Sequence, residues 1–213
     1  MRLRRLEYSE DTLYSLDNAK LYLRVDHDDE DSLIKALRNA ATSACEDYCK
    51  RSFLKQKFQI VLDKFPENTN KYTEGVYHTS VEEAVSGLNR FIKIPRGNVI
   101  SISEVRTIAS DNTSTVFSSV NYYLDNSGTY PRLILNDGAV WPTDLRDYAA
   151  VEVDFFSGYS DDKDDVPENI ISAVKMVMAH FYEKRGDEDD GDKLKLPKIV
   201  KQILSPYKVF TLG

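Results

Sequence analysis

The chain has 213 residues, of which 41% are hydrophobic, and carries 35 acidic against 28 basic side chains for a formal charge of −7. That apolar content buries one substantial core or two small ones, and it excludes a disordered or fibrous chain. The acidic balance works against passive adhesion to nucleic acid or anionic membranes, and no apolar run approaches the roughly 18 residues of a membrane span, so the expectation is a soluble protein.

In chain order, the first helical pattern covers residues 15–24, with Ser15 as N-cap, Asp17 in the first turn, and Leu16, Ala19, Leu21 and Leu23 as apolar groups. Residues 26–31 then concentrate carboxylates where a second, longer helix begins, a placement favoured by the exposed amides of a helix start. In that helix Leu33, Ile34, Leu37, Ala40, Ala41, Ala44, Cys45, Tyr48 and Cys49 recur at three- and four-residue steps, predicting one apolar stripe from about residue 29 to Phe53. The stripe requires a partner surface.

From Lys55 the period changes to two: Phe58, Ile60 and Leu62 alternate with Gln59, Val61 and Asp63 until Pro66. Further strands are predicted at 91–94, 103–108, 122–124, 132–135 and 148–156, separated by turn signals at 95–97, 125–128 and 136–138. The polar stretch 67–87 reads as a loop open to a partner, with a helical turn at 81–85. After the acidic run 161–165, Pro167 opens a helix whose apolar face is Ile170, Ile171, Val174, Val177, Met178 and Phe181, with Lys184 and Arg185 in its last turn. An acidic loop, 187–192, leads to Pro197 and a short helix carrying Ile199, Val200, Ile203 and Leu204, halted at Pro206. The predicted class is therefore α+β: amphipathic helices from both chain ends, 1–54 and 159–213, packing as one helical layer, with an antiparallel β lobe, 55–158, inserted between them.

Catalytic signatures are missing. There is no phosphate loop, nucleophile elbow, His-Glu-x-x-His or Cys-x-x-Cys, and the expectation is a protein that is not an enzyme and needs no cofactor. His27, His78 and His180 have no shared helical face and read as solvated or packing residues. Cys45 and Cys49 share a face, but small thiols in an alanine-rich stripe are better read as core than as metal ligands, and two cysteines indicate no disulfide framework. Neither acidic run has the glycine and glutamate of a calcium loop. The lysines from 193 onward alternate with apolar residues, as on the wet face of an amphipathic helix. The apolar ending 207–212 is left over, and needs either the chain's own core or a partner to cover it.

Three stretches resemble the phage head-to-tail connector (adaptor) family in its longer form with a β segment. They are residues 15–25 with 28–34, Ala40 and Ala41; residues 48–51 leading to 62–66; and residues 156–159, Val166, Pro167, Ile171, Ala173 and 180–185, followed by Leu196, Pro197 and 204–210. Stretch 67–87 is longer than is usual for that family. The resemblance implies a homo-oligomeric ring, twelve-fold under a portal protein and above a stopper or tail-completion protein, located in the virion neck and assembled in the host cytoplasm, with genomic DNA passing through the lumen and no membrane partner. It also implies that the C-terminal segment docks on the portal, giving Leu196, Ile199, Ile203, Leu204, Tyr207, Val209 and Phe210 as candidate portal-binding residues and Leu33, Leu37 and Tyr48 as candidate ring contacts. The competing readings are a stopper or tail-terminator ring, opposed by the long helix; a small hydrolase, opposed by the missing polar site; and a DNA-binding packaging factor, opposed by the charge.

Overall fold

The computed structural model describes residues 1–9, 11–65, 91–128, 130–160, 163–184 and 196–209. The chain divides into two compact units: Met1–Leu6, Lys57–Pro95 and Ser101–Phe156 form one, and Glu7–Gln56, Arg96–Ile100 and Ser157–Gly213 the other.

The second unit holds the helices. In α1 (Leu16–Leu23) the Ser15 hydroxyl accepts from the Asn18 amide, and Arg24 at φ 59° ends the helix in the left-handed conformation. Helix α2 is Asp31–Cys49, shorter at both ends than the apolar stripe predicts; Lys50 at φ 54° stops it before Phe53, which is nonetheless fully buried. Helix α3 is Glu168–Glu183, with Pro167 as N-cap rather than first helical residue, and α4 is Lys198–Leu204, running into a 3-10 turn at Ser205–Tyr207. α2 packs on α3, α1 on both, and α4 on α3. The core joins Ala19, Ile34, Ala41, Cys45 and Cys49 to Ile170, Val174, Val177, Met178, Val200 and Leu204, so the stripes at three- and four-residue spacing from both ends of the chain cover one another. Each such large side chain, fully buried, contributes about 1.5–3 kcal/mol. The Tyr14 hydroxyl donates to Met178 Sδ at 3.4 Å, and burial pushes that phenol well above its ordinary pKa, so it stays a donor.

The first unit is the β structure. A five-stranded sheet has the order β1 (Arg2–Glu7), β2 (Gln56–Leu62), β8 (Val151–Ser157), β4 (Val99–Ile108), β5 (Ser114–Val116), with Glu7, Gln56, Val99, Ile100 and Ser157 at strand ends grouped with the helical unit. A three-stranded antiparallel sheet has β7 (Arg132–Leu135) between β3 (Phe91–Lys93) and β6 (Tyr122–Asp125), with Ile134 opposite both Phe91 and Tyr123. Period-two alternation sorts the larger sheet's faces. Phe58 stacks on Phe155 at 5.7 Å beside buried Ile60, Val105, Val151 and Val153. The alternate positions carry a polar ladder: Arg4 Nε donates to Gln59 Oε1 at 2.7 Å, Gln59 Nε2 to Asp154 Oδ1 at 2.6 Å, and Arg106 Nη2 lies 3.0 Å from Glu152. Phe65 and Phe117 pack against Trp141 at 4.2 and 5.6 Å.

Two strands depart from the sequence reading. β1 carries Arg2, Arg4 and Arg5 in place of an apolar run, because an outer strand with one exposed face needs little apolar content. β5 is three exposed residues, too short for periodicity to register. The helical turn expected at 81–85, the loop 67–87 and the acidic loop 187–192 lie outside the described residues.

Candidate functional site

In the helical unit, the end of α2 forms a seat for the C-terminal segment. The left-handed turn at Lys50 exposes the last carbonyls of the helix, and two are taken by other parts of the chain: Val209 N donates to Cys49 O at 2.9 Å, and Gly97 N to Lys50 O at 2.8 Å. Arg51 fastens the same place from its side chain, with Nε donating to Tyr207 O at 2.5 Å and Nη1 to Asn98 Oδ1. Gly97 lies so close beneath this arrangement that a Cβ there would sit 2.6 Å from Val209 Cγ2 and 2.9 Å from Arg51 Cγ. Ser157 Oγ donates to Gly97 O at 2.8 Å, and Gly158 N to Asn98 O at 2.9 Å, so the 96–98 turn is held from both sides. Above it the Lys208 ammonium lies 4.9 Å from the centre of the Tyr48 ring.

A buried charge cluster fixes the same turn. Glu46 accepts from Phe53 N and from Gln56 Nε2, each at 2.8 Å, while Arg96 stands 3.6 Å from its other oxygen and donates from Nε to Ser52 Oγ at 3.0 Å. Both charged groups are almost wholly removed from water, so each depends on the other and on these hydrogen bonds. Burial pushes the neighbouring Cys45 and Cys49 thiols up to about 12 and about 11, the adjacent thiol adding to the shift at Cys45, which leaves them inert apolar groups.

The predicted site residues divide by exposure. Leu196, Leu204 and Val209 are buried in the chain's own core, Ile203 and Tyr207 are half-buried, and Ile199 is 54% exposed. Phe210 lies outside the described residues. Of the three candidate ring contacts, Leu37 and Tyr48 are half-buried against the core and Leu33 lies on the surface at 36% exposure. His27 is 4.0 Å from Asp29, His180 packs near Phe181, and His78 is outside the described residues. Among the described residues no three His, Cys, Asp or Glu side chains are grouped as metal ligands, and no helix is long and apolar enough to cross a membrane. The pinning residues Glu46, Arg51, Arg96 and Asn98 were not foreseen. The one signal for them was the 95–97 turn, which says nothing about what that turn touches.

Residues 14–94 match the model of the phage gp6-like head-tail connector protein family. Over this stretch, which is less than half of its length, the chain is similar to that family. The connector match takes in α1, α2 and β2 and ends just past β3. Beyond the matched stretch, the fold as a whole is similar to that of a chain in the neck of an empty gene transfer agent particle solved in C6 symmetry, with a TM-score of 0.76 at 18% identity, covering 100% of this chain and 98% of that one. Similar chains occur in the virion of the native gene transfer agent particle (TM-score 0.74, 18% identity) and in its neck in C12 symmetry (0.68, 17%), with the same coverage. At these identities the likeness is one of fold. No curated protein matches the sequence.

Proposed function

We propose that this chain is a structural, non-enzymatic head-to-tail adaptor that forms a ring beneath the portal of a tailed phage or phage-like particle, links capsid to tail and lets DNA pass. The observation that carries the reading is the agreement of two independent likenesses, the connector family over residues 14–94 and the full-length fold of a particle-neck subunit. On this reading the subunit works in the virion neck after assembly in the host cytoplasm, as a twelve-fold ring between the portal and a stopper or tail-completion protein. The helices from both chain ends are its packing layer, and 55–158 is an inserted lobe.

A closed ring is a heterologous assembly, in which each copy offers two different surfaces to its neighbours. Leu33, Leu37 and Tyr48 on α2 are proposed to contribute to one of them. The segment 196–210 is proposed as the portal-docking element, with Leu196, Leu204 and Val209 anchoring it from below, Ile199, Ile203 and Tyr207 supplying its outer apolar face, and Phe210 continuing it. The exposure of Ile199 on a short helix whose other face is buried supports this division.

The test is to mix the purified protein with a portal ring of the same particle and measure mass by light scattering, beside each component alone. The expected result is a complex with about one adaptor per portal subunit. A stable monomer that ignores the portal overturns the reading. Deletion of residues 207–213 is expected to abolish portal binding, and normal binding by that variant removes the C-terminal segment from the proposal.

A further inference from the structure

The five-stranded sheet ends in two unlike strands. Among the described residues β1 forms one edge and β5 the other. β5 is exposed along its whole length, with Val116 at 59%. Its pairing fixes which of its backbone groups face outward. Thr113 O accepts from Ala109 N and Phe117 N donates to Val105 O, with Thr115 opposite Thr107, so the odd-numbered residues bond to β4. In an antiparallel ladder the alternate residues then point the other way, which turns the N–H and C=O of Ser114 and Val116 away from the sheet. Of the usual protections of an exposed edge β5 has its shortness alone: its sequence is Ser-Thr-Val, with no lysine, no proline and two β-branched residues. The hairpin leading into it carries exposed Asp111, and Asp144 is tied to the same hairpin through Ser110 at 2.9 Å, while Arg146 there donates to Ala149 O at 2.7 Å and to Asn112 Oδ1 of the hairpin at 3.4 Å. β1 has the opposite character, with Arg2 and Arg4 exposed, Arg5 beside them, and one acid, Glu7.

We propose that β1 of one copy adds to β5 of the next, so that the five-stranded sheets join into a continuous belt around the assembly. This rests on the ring reading and deepens it by naming one of the two surfaces that a heterologous ring requires. The occupant of the β5 edge is a second copy because the two edges belong to one sheet, differ from each other, and set the arginines of β1 against the acids Asp111 and Asp144 beside β5. Strand addition takes affinity from backbone hydrogen bonds, and the arginines and aspartates set which edge meets which.

Amide hydrogen exchange of the wild-type protein, alone and in its portal-bound ring, tests this directly. Exchange at Ser114 and Val116 and across residues 2–7 is expected to slow at least tenfold in the ring. A second arm uses Val116→Pro, which removes an outward N–H while leaving the bonds to β4 in place. It is expected to lower ring yield at least tenfold with the melting temperature of the free protein unchanged. A ring in which residues 114–116 exchange as in the free protein overturns the strand addition and leaves the ring reading standing. Failure of the wild type to form any ring overturns both. If Val116→Pro does not fold, the exchange result decides alone.

Discussion

Substitution of Gly97 by alanine probes the seat of the C-terminal segment with little else changed. The new Cβ would lie 2.6 Å from Val209 Cγ2 and 2.9 Å from Arg51 Cγ. Carbon atoms in contact prefer about 3.5–4.0 Å, so Val209 must retreat by about 1 Å or leave its site, whereas the Arg51 stem can rotate. Overpacking of this kind costs about 1–3 kcal/mol, which for a chain of this length lowers the melting temperature by on the order of 2–12 °C. Val209→Ala alone removes two buried methyl groups, about 1.6 kcal/mol at roughly 0.8 each, and also removes the atom that clashes. The double variant should therefore be scarcely less stable than Val209→Ala, with a coupling energy of at least about 1 kcal/mol by chemical denaturation. Additivity to within about 0.5 kcal/mol refutes the packing argument.

Gly158→Ala is expected to be worse than Gly97→Ala, because its Cβ would meet the backbone of Leu54 and Lys55 at 2.6–2.7 Å and no rotamer relieves that; the check is soluble yield at 37 °C beside Gly97→Ala. Arg96→Ala strands the buried Glu46 carboxylate and should cost about 3–5 kcal/mol in urea titrations, whereas Asp47→Asn, on the exposed partner of the same guanidinium, should cost less than about 1 kcal/mol. Neither cysteine should react with an aromatic disulfide reagent at pH 8 in the native protein, and both should react in denaturant, since burial holds their pKa values at about 12 and about 11. Asp125 is held at about 2 by hydrogen bonds from Ser127 and Arg132, below its ordinary carboxyl value near 3.8; its stabilisation is fully present above about pH 4 and is lost as pH falls through about 2, so Asp125→Asn should weaken the acid dependence of stability measured between pH 5 and 2.

The helices and most strands were legible because their signals are local. Ser15 is read as an N-cap from its place before an apolar pattern, and residues 132–135 are read as a strand from composition and a flanking turn. Helix ends were less legible, since the stop at Lys50 depends on a backbone conformation that no residue type announces there. The seat at Gly97 was not legible, because Arg96 and Glu46 are fifty positions apart and only the folded chain brings them together. The apolar ending was read as needing cover, with the chain's own core and a partner both open. The structure buries Leu204 and Val209 in the core and leaves Ile199 exposed, a division that an alternating apolar pattern on so short a helix does not reveal.

The way Val209 is held also has a mechanical meaning. A pull on the C-terminus beyond Val209 reaches the backbone bond to Cys49 and the Arg51 bond to Tyr207 before it reaches α4. The load thus enters the end of α2, the longest helix among the described residues, and spreads along its buried stripe, while α4 with its single exposed isoleucine is bypassed. A chain wired in this way can be tugged beyond Val209 without unwinding α4 first.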